Sequence, residues 1–148
     1  MEKINQIFAV YGAGGCGRGL IPFVFDNYKN EYSKIVFIDD NIKEKKIDNY
    51  EVLSFKKFIK IKKIKKNILL GISDPKIRRK IYIKIKNENI NLFSLYSKNS
   101  IILDKKNIST GCSISPFTMI TSNAKIGKFF HLNIYSYVEH DCEIGDFV

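Results

Sequence analysis

Long apolar runs, paired cysteines and a secretion leader are what this chain lacks. No apolar stretch approaches the length of a bilayer span, so no membrane-spanning helix is expected. The opening MEKINQIFAVYGAGG is a short apolar strand running into glycines, without a small-residue cleavage pattern, so no signal peptide is expected. Cysteine is scarce: Cys16, Cys112 and Cys142 are odd in number, widely spaced and form no CxxC pair. Neither a disulfide framework nor a zinc site is indicated, and we expect no bound metal and a reducing, cytoplasmic setting. Acids are few beside bases, 15 against 25, which leaves a net charge of +10. Much of that excess falls in FKKFIKIKKIKK, ending at Lys66. A nucleic-acid surface is one reading of such a run. The other is an amphipathic segment with a solvated lysine face. The same isoleucine–lysine bias returns in KIRRKIYIKIK, so it belongs to the whole chain. We therefore favour the solvated face and expect no nucleic-acid partner, although a basic surface still steers phosphorylated small molecules inward.

What the chain does have is a six-residue repeat near its C-terminus. From Ile114 it divides into ISPFTM, ITSNAK, IGKFFH, LNIYSY, VEHDCE and IGDFV. The first position reads Ile114, Ile120, Ile126, Leu132, Val138, Ile144, and the fifth is mostly small. An aliphatic opener every six residues signs a parallel β-helix: each short strand turns a corner and the aliphatic side chain fills the bore. A β-sandwich would instead alternate with a period of two. The last hexad has five residues and no closing unit, so a piece of something longer, or a shortened relative of it, is expected.

The first part of the chain alternates strands and helices, which implies a parallel sheet with crossovers. Gln6–Tyr11 reads as a strand, Arg18–Lys29 as a helix with Pro22 in its first turn, and Lys34–Asp39 as a second strand. Residues 41–50 read as a loop or short hairpin, with Ser54 capping a short helix. Asn67–Ile72 reads as a third strand ending at Gly71. Asp74-Pro75 opens a helix carrying Ile77, Ile81 and Ile85, and Asn91–Tyr96 is a fourth strand. At 148 residues there is room for one good core or two small ones. The expected domains are residues 1–98 and 99–148, with regular hexads from 114 and an incomplete coil.

Between the first strand and first helix, Gly12, Gly14 and Gly17 fit G-x-G-x-x-G, with Asp39 and Asp40 closing the next strand about twenty residues on. Glycines let a pyrophosphate approach the backbone, the helix start offers unpaired N–H groups, and a carboxylate can accept from a ribose or base. NAD and a nucleotide-linked sugar both satisfy this pattern, and so does a ligand-free tight turn. In the coil, His140 takes the third place of its hexad, outward or at a corner, beside Asp141. It reads either as a general base with a supporting carboxylate or as an exposed histidine beside a surface acid. His131 has no acid beside it and reads as structural or solvent-facing.

Together VYGAGGCG, IVFIDD, GISDPKIRRKIYIKI and VEHDCEIGDF resemble the sialic acid O-acetyltransferase and UDP-amino-sugar N-acetyltransferase family of bacterial glycan pathways. The resemblance implies an α/β Rossmann-like N-terminal domain, binding a nucleotide sugar, followed by a left-handed parallel β-helix. It implies acetyl transfer from acetyl-CoA to an amino or hydroxyl group of an activated sugar, UDP-linked by closest likeness. It makes His140 the base and Asp141 its support, where relatives usually carry glutamate. Gly12, Gly14, Gly15 and Cys16 would hold the diphosphate, with Asp39, Asp40 and Gly71 around the nucleotide and Asn133 at the sugar. Relatives often have histidine where this chain has Cys16. The resemblance further implies a homotrimer, with the acetyl-CoA site built mainly from later coils and a neighbouring subunit. A nucleotide-sugar-binding module without catalysis is the second expectation. An NAD-dependent oxidoreductase fragment is the third, and it leaves the hexads unexplained.

Overall fold

The computed structural model describes residues 4–148. Residues 1–3, with which the expected first domain begins, lie outside the described residues. Strands β1 (Gln6–Tyr11), β2 (Ser33–Ile38), β3 (Lys46–Ile47), β4 (Tyr50–Leu53), β5 (Lys65–Leu70) and β6 (Asn91–Leu92) form one sheet in the order β3-β4-β2-β1-β5-β6. All pairs are parallel except β3–β4, which closes the hairpin expected in residues 41–50. Strands buried on both faces read as continuous apolar runs, as IFAVY and IVFI do. Alternate side chains of β1 part to opposite faces. Phe8 and Val10 pack under helix α1 (Gly15–Tyr28). Ile7, Ala9 and Tyr11 pack under α2 (Phe55–Lys60) and α3 (Pro75–Ile85).

The helix caps follow sequence chemistry. Ser54 Oγ accepts from Lys57 N, and the Asp74 carboxylate accepts from Lys76 N and Ile77 N, with Pro75 at the first helical position. In α2 Phe55 and Phe58 are buried while Lys56, Lys57 and Lys60 face solvent. Helix α1 departs from expectation. It starts at Gly15, capped by an extended Gly14, so Pro22 lies inside the helix and not in its first turn. The glycines let the helix begin directly off the β1 loop, three residues before its apolar periodicity becomes readable. The fourth expected strand also divides. β6 stays on the sheet, Phe93 sinks into the α1-side core, and β7 (Leu95–Tyr96) leaves to pair with a later strand. Ser94 holds this crossing: its carbonyl accepts from Tyr28 Oη and its Oγ from Cys112 N.

From β7 the chain winds as a three-sided parallel coil. Its strands are β8 (Ile101–Ile102), β9 (Ser113–Ile114), β10 (Met119–Ile120), β11 (Lys125–Ile126), β12 (His131–Leu132), β13 (Tyr137–Val138) and β14 (Glu143–Ile144). Each regular strand pairs with the one eighteen residues away: Ile114 with Leu132, Ile120 with Val138, Ile126 with Ile144. Three sheets result, β7-β9-β12, β8-β10-β13 and β11-β14. The hexad openers fill the bore, Ile114, Ile120 and Ile126 being at most 2% exposed. At the fourth hexad position the backbone turns left-handed: Phe117, Asn123, Phe129, Tyr135, Asp141 and Phe147 have φ between 57° and 64°, and Gly111 lies in register with φ 77°.

The three edges carry different chemistry. One edge stacks Phe129 on Phe147 (ring centroids 5.0 Å apart), and both rings meet Tyr82 of α3 and enter the core beneath the sheet. Gly111 belongs to the same edge, where a Cβ would strike the Phe129 ring at 2.4 Å. Buried Arg78 of α3 ties this edge down, donating to the carbonyls of Ile72, Ser73, Phe147 and Val148. The second edge exposes the stacked pair Phe117–Tyr135, and the third holds Asn123 beside Asp141. Replacing Phe129 with Ala leaves a cavity between coil and α3. We expect a loss of roughly 3–5 kcal/mol in urea unfolding, and a loss below 1 kcal/mol contradicts this packing role.

Candidate functional site

The glycine loop sits at the carboxyl ends of the central strands, in the crevice where the sheet's winding reverses. Gly12 N donates to Ile38 O and Gly71 N to Tyr11 O, so the loop is fixed from both sides. Gly12 has φ 105°, and a Cβ on Gly17 would lie 1.8 Å from the Gly12 carbonyl oxygen. Gly71 packs against Gly17 in turn, so its lack of a side chain serves the strand–helix contact. Gly14 and Gly15 differ: both are exposed, with open space where a Cβ would be. The first N–H groups of α1 therefore face an approachable surface, as an anion requires.

Two clefts flank this loop. The first, of about 370 Å³, runs between α1 and the β9–β12 face of the coil; Gly15, Cys16 and Ser73 border one side and Ser113, His131 and Asn133 the other. The second, of about 380 Å³, lies beyond Gly12 and is bordered by Tyr11, Asp39, Asp40, Lys80 and Lys84. The two acids there are already engaged. Asp39 accepts from Ala13 N (3.0 Å) and Asn41 N (2.9 Å). Asp40 accepts from Tyr11 Oη (2.9 Å), Lys84 Nζ (2.7 Å) and Phe55 N (2.8 Å). Partial burial pushes the Asp40 carboxyl upward, but the Lys84, Phe55 and Tyr11 hydrogen bonds outweigh it and hold its pKa below the usual carboxylate value. The pair thus shapes the loop and positions Lys84, whose ammonium lies 4.8 Å from the Phe55 ring centroid.

His140 and Asp141 lie at the coil's third edge. His140 Nδ1 is 2.7 Å from Asp141 Oδ2, and Asp141 Oδ1 accepts from Asn123 Nδ2 at 2.6 Å. An ionised carboxylate only accepts, so Nδ1 carries the proton and Nε2 keeps its lone pair. The Asp141 hydrogen bond raises the His140 pKa above its ordinary value. The Asn123 amide, and then His140, lower that of Asp141.

The sequence-derived site residues thus fall into three groups. Gly15, Cys16 and Asn133 meet at the first cleft, while Gly14, the exposed N-cap of α1, does not line it; Gly12, Asp39 and Asp40 border the second, with Gly71 packed behind; His140 and Asp141 stand apart from both. Within one chain the imidazole does not line either cleft. The reason is the winding: six residues advance the chain by one face, so Asn133 and His140, in successive hexads, look out from different sides. Eighteen residues return to the same side, a register that would have placed His131 over Ser113.

His131, which reads from sequence as structural or solvent-facing, lies in the wall of the first cleft. Its Nε2 is sealed from solvent and has no hydrogen-bond partner. Burial, and then the Arg78 cation, push its pKa down to about 4, against a smaller opposing pull from the Leu70 carbonyl. Burial also raises the Cys16 thiol, which Arg78 partly offsets. Among the described residues no cluster of metal-ligating side chains occurs and no helix is long and apolar enough to cross a membrane.

Residues 8–85 match the model of the family described as the PglD N-terminal domain. A GDP-perosamine N-acetyltransferase of Escherichia coli O157:H7 is 39% identical over 146 residues, covering 97% of this chain, which spans 66% of that relative's length. The structure of WeeI from Acinetobacter baumannii AYE matches with a TM-score of 0.88 at 39% identity, over 97% of this chain and 68% of that one. The acetyltransferase domain of PglB from Neisseria gonorrhoeae FA1090, solved with acetyl coenzyme A, shares the fold at 20% identity, with a TM-score of 0.81 over 97% of this chain and 69% of its own. The chain belongs to the PglD N-terminal domain family, the sugar acetyltransferase family that its motifs resemble.

Folded His131 stays neutral down to pH about 4, whereas an unfolded histidine takes a proton near 6.5. Its contribution to stability is therefore whole above pH 6.5 and is lost as pH falls from 6.5 to 4. By pH 5 the loss is about 2 kcal/mol. Urea unfolding at pH 7.5 and 5 should show this loss in the wild type and not in His131→Leu; equal pH dependence in both would refute it.

Proposed function

We propose that this chain is the sugar-binding and proton-accepting part of an acetyl-CoA-dependent acetyltransferase. Its acceptor is an amino or hydroxyl group on a nucleotide-activated sugar used in bacterial surface-glycan or glycoprotein synthesis. The observation that carries this reading is the pairing of an open helix start, facing the coil across a cleft, with a carboxylate-supported imidazole on the same coil. The E. coli relative and the PglB domain are named as acetyltransferases, which favours catalysis over a binding module. The Rossmann-like nucleotide-sugar domain is taken to end before β7, four residues earlier than the expected boundary at 98–99, because Leu95–Tyr96 already pair within the coil; the rest is taken as left-handed β-helix with hexads from 114. The expected setting is the cytoplasm.

The diphosphate sits at the N–H groups opening α1, at Gly14, Gly15 and Cys16, which need no side chain to meet it. The nucleoside extends past Gly12 toward Asp39 and Asp40, with Gly71 keeping the loop close. The sugar lies toward Asn133. UDP is the nucleotide that the family resemblance implies; the E. coli relative is named for a GDP sugar, so both belong in the test.

In the transfer step the sugar nitrogen or oxygen attacks the thioester carbonyl of acetyl-CoA. A C–N or C–O bond forms, the C–S bond breaks, and CoA leaves as thiolate. His140 Nε2 takes the proton released by the nucleophile and passes it to that thiolate. Asp141, steadied by Asn123, keeps Nε2 unprotonated and supports the imidazolium that forms.

Since the imidazole and the cleft lie on different sides of one chain, the complete site needs a second copy. The β8-β10-β13 face next to His140 is apolar and open: Ile101 is 56% exposed, Tyr137 67% and Tyr135 76%. Copies packed through this face, three about an axis along the coil, would bring one chain's imidazole toward another's cleft.

His140→Ala is expected to lower CoA release by at least about a hundredfold while the Kd for the nucleotide sugar stays within threefold. The base works only when neutral, so kcat/KM should fall with acidity below an apparent pKa above 6.5. Asp141→Asn should move that limb toward lower pH. Full activity in His140→Ala would remove the assignment.

A further inference from the structure

We propose that His131 is a further substrate-contacting residue, whose neutral imidazole pairs with a sugar hydroxyl and so helps decide which sugar the cleft accepts. This rests on the reading of the first cleft as a nucleotide-sugar site.

Place comes first. Strand side chains alternate, so His131 and Asn133 both look outward while Leu132 between them fills the bore. Both line the cleft, with Gly15 and Cys16 facing them from the start of α1. A ligand whose diphosphate meets that helix start, and whose sugar reaches Asn133, passes the imidazole on the way.

The ring is partly sealed in the wall. His131 Nε2 and Arg78 Nε are the two buried side-chain nitrogens without a hydrogen-bond partner among the described residues. Nε2 itself is closed to solvent, so the cleft meets the ring through the rest of its edge.

The chemistry then narrows the partner. The charged groups that bear on the ring are cationic: Arg78 of α3 opposes its protonation, and no carboxylate supports it. A neutral imidazole offers one donor and one acceptor. Phosphate oxygens only accept, and the α1 N–H groups already serve them. A hydroxyl both donates and accepts, and it pairs with either tautomer of the ring. His131 therefore reads the hexose rather than the diphosphate. Its low basicity separates it from the proton-accepting role of His140.

Calorimetry on wild type, His131→Leu and His131→Gln tests this, using UDP, GDP, UDP-glucose and GDP-mannose as probes. We expect His131→Leu to weaken the bound nucleotide sugar by about five- to tenfold, the loss of a neutral hydrogen bond. The matching nucleoside diphosphate should change less than about twofold. The Gln variant, which keeps a donor and an acceptor, should recover most of the affinity. The imidazole 15N signals of wild-type His131 should shift with the nucleotide sugar and stay put with the nucleoside diphosphate. Equal loss for sugar and diphosphate ligands, no loss for either, or a Gln variant as weak as Leu overturns the assignment to the sugar while leaving the cleft's function standing. Failure of the wild type to bind any of the four overturns both.

Discussion

A left-handed backbone turn at every sixth residue is the constraint on which this coil depends. For a residue with a Cβ that conformation costs on the order of 1 kcal/mol, and it persists only where neighbours over-determine it. Here the neighbours are those eighteen residues away, whose ladder hydrogen bonds repeat the turn layer by layer, and the aliphatic openers that fill the bore beneath. Glycine would turn more cheaply. Side chains stand at these corners instead, and each column does separate work: aromatic rings against α3, an open aromatic pair, and an amide–carboxylate pair behind the imidazole.

The first of these columns joins the two halves of the molecule. Phe129 and Phe147 enter the same apolar cluster as Ile7, Val36 and Leu70, so sheet and coil share a core. Arg78 supplies the polar counterpart, a buried guanidinium spent on four main-chain carbonyls. That arrangement keeps the start of α1 opposite the β9–β12 face, which is what makes the first cleft. Its geometry therefore follows from contacts on the far side of the sheet.

Much of the architecture was legible in the chain. Apolar runs such as IFAVY and IVFI announce buried parallel strands, Ser54 and Asp74-Pro75 announce helix starts, and the aliphatic openers announce the bore. Two features were hidden for physical reasons. Helix α1 begins among glycines that carry no periodic signal, so its start and the placement of Pro22 were misread. Leu95 and Tyr96 look like a continuation of β6 because a strand's local pattern does not reveal its partner. At the site, the glycine loop was readable because its spacing reflects close backbone approach. The separation of His140 from Asn133 was not, since it depends on three-fold winding. His131 reads from sequence only as structural or solvent-facing, because its place in the cleft wall, its burial and the nearness of Arg78 are properties of the folded chain.

The winding also limits how such a chain can change length. Adding or removing one hexad turns everything after it by a third of a revolution. The imidazole would then trade edges with an aromatic corner, and the rings that dock on α3 would point into water. Only changes of three hexads together, a whole coil, leave each function on its own side. Heritable variation in this part of the molecule should therefore come in steps of eighteen residues, or as loops that leave the wall and return to it at the same corner.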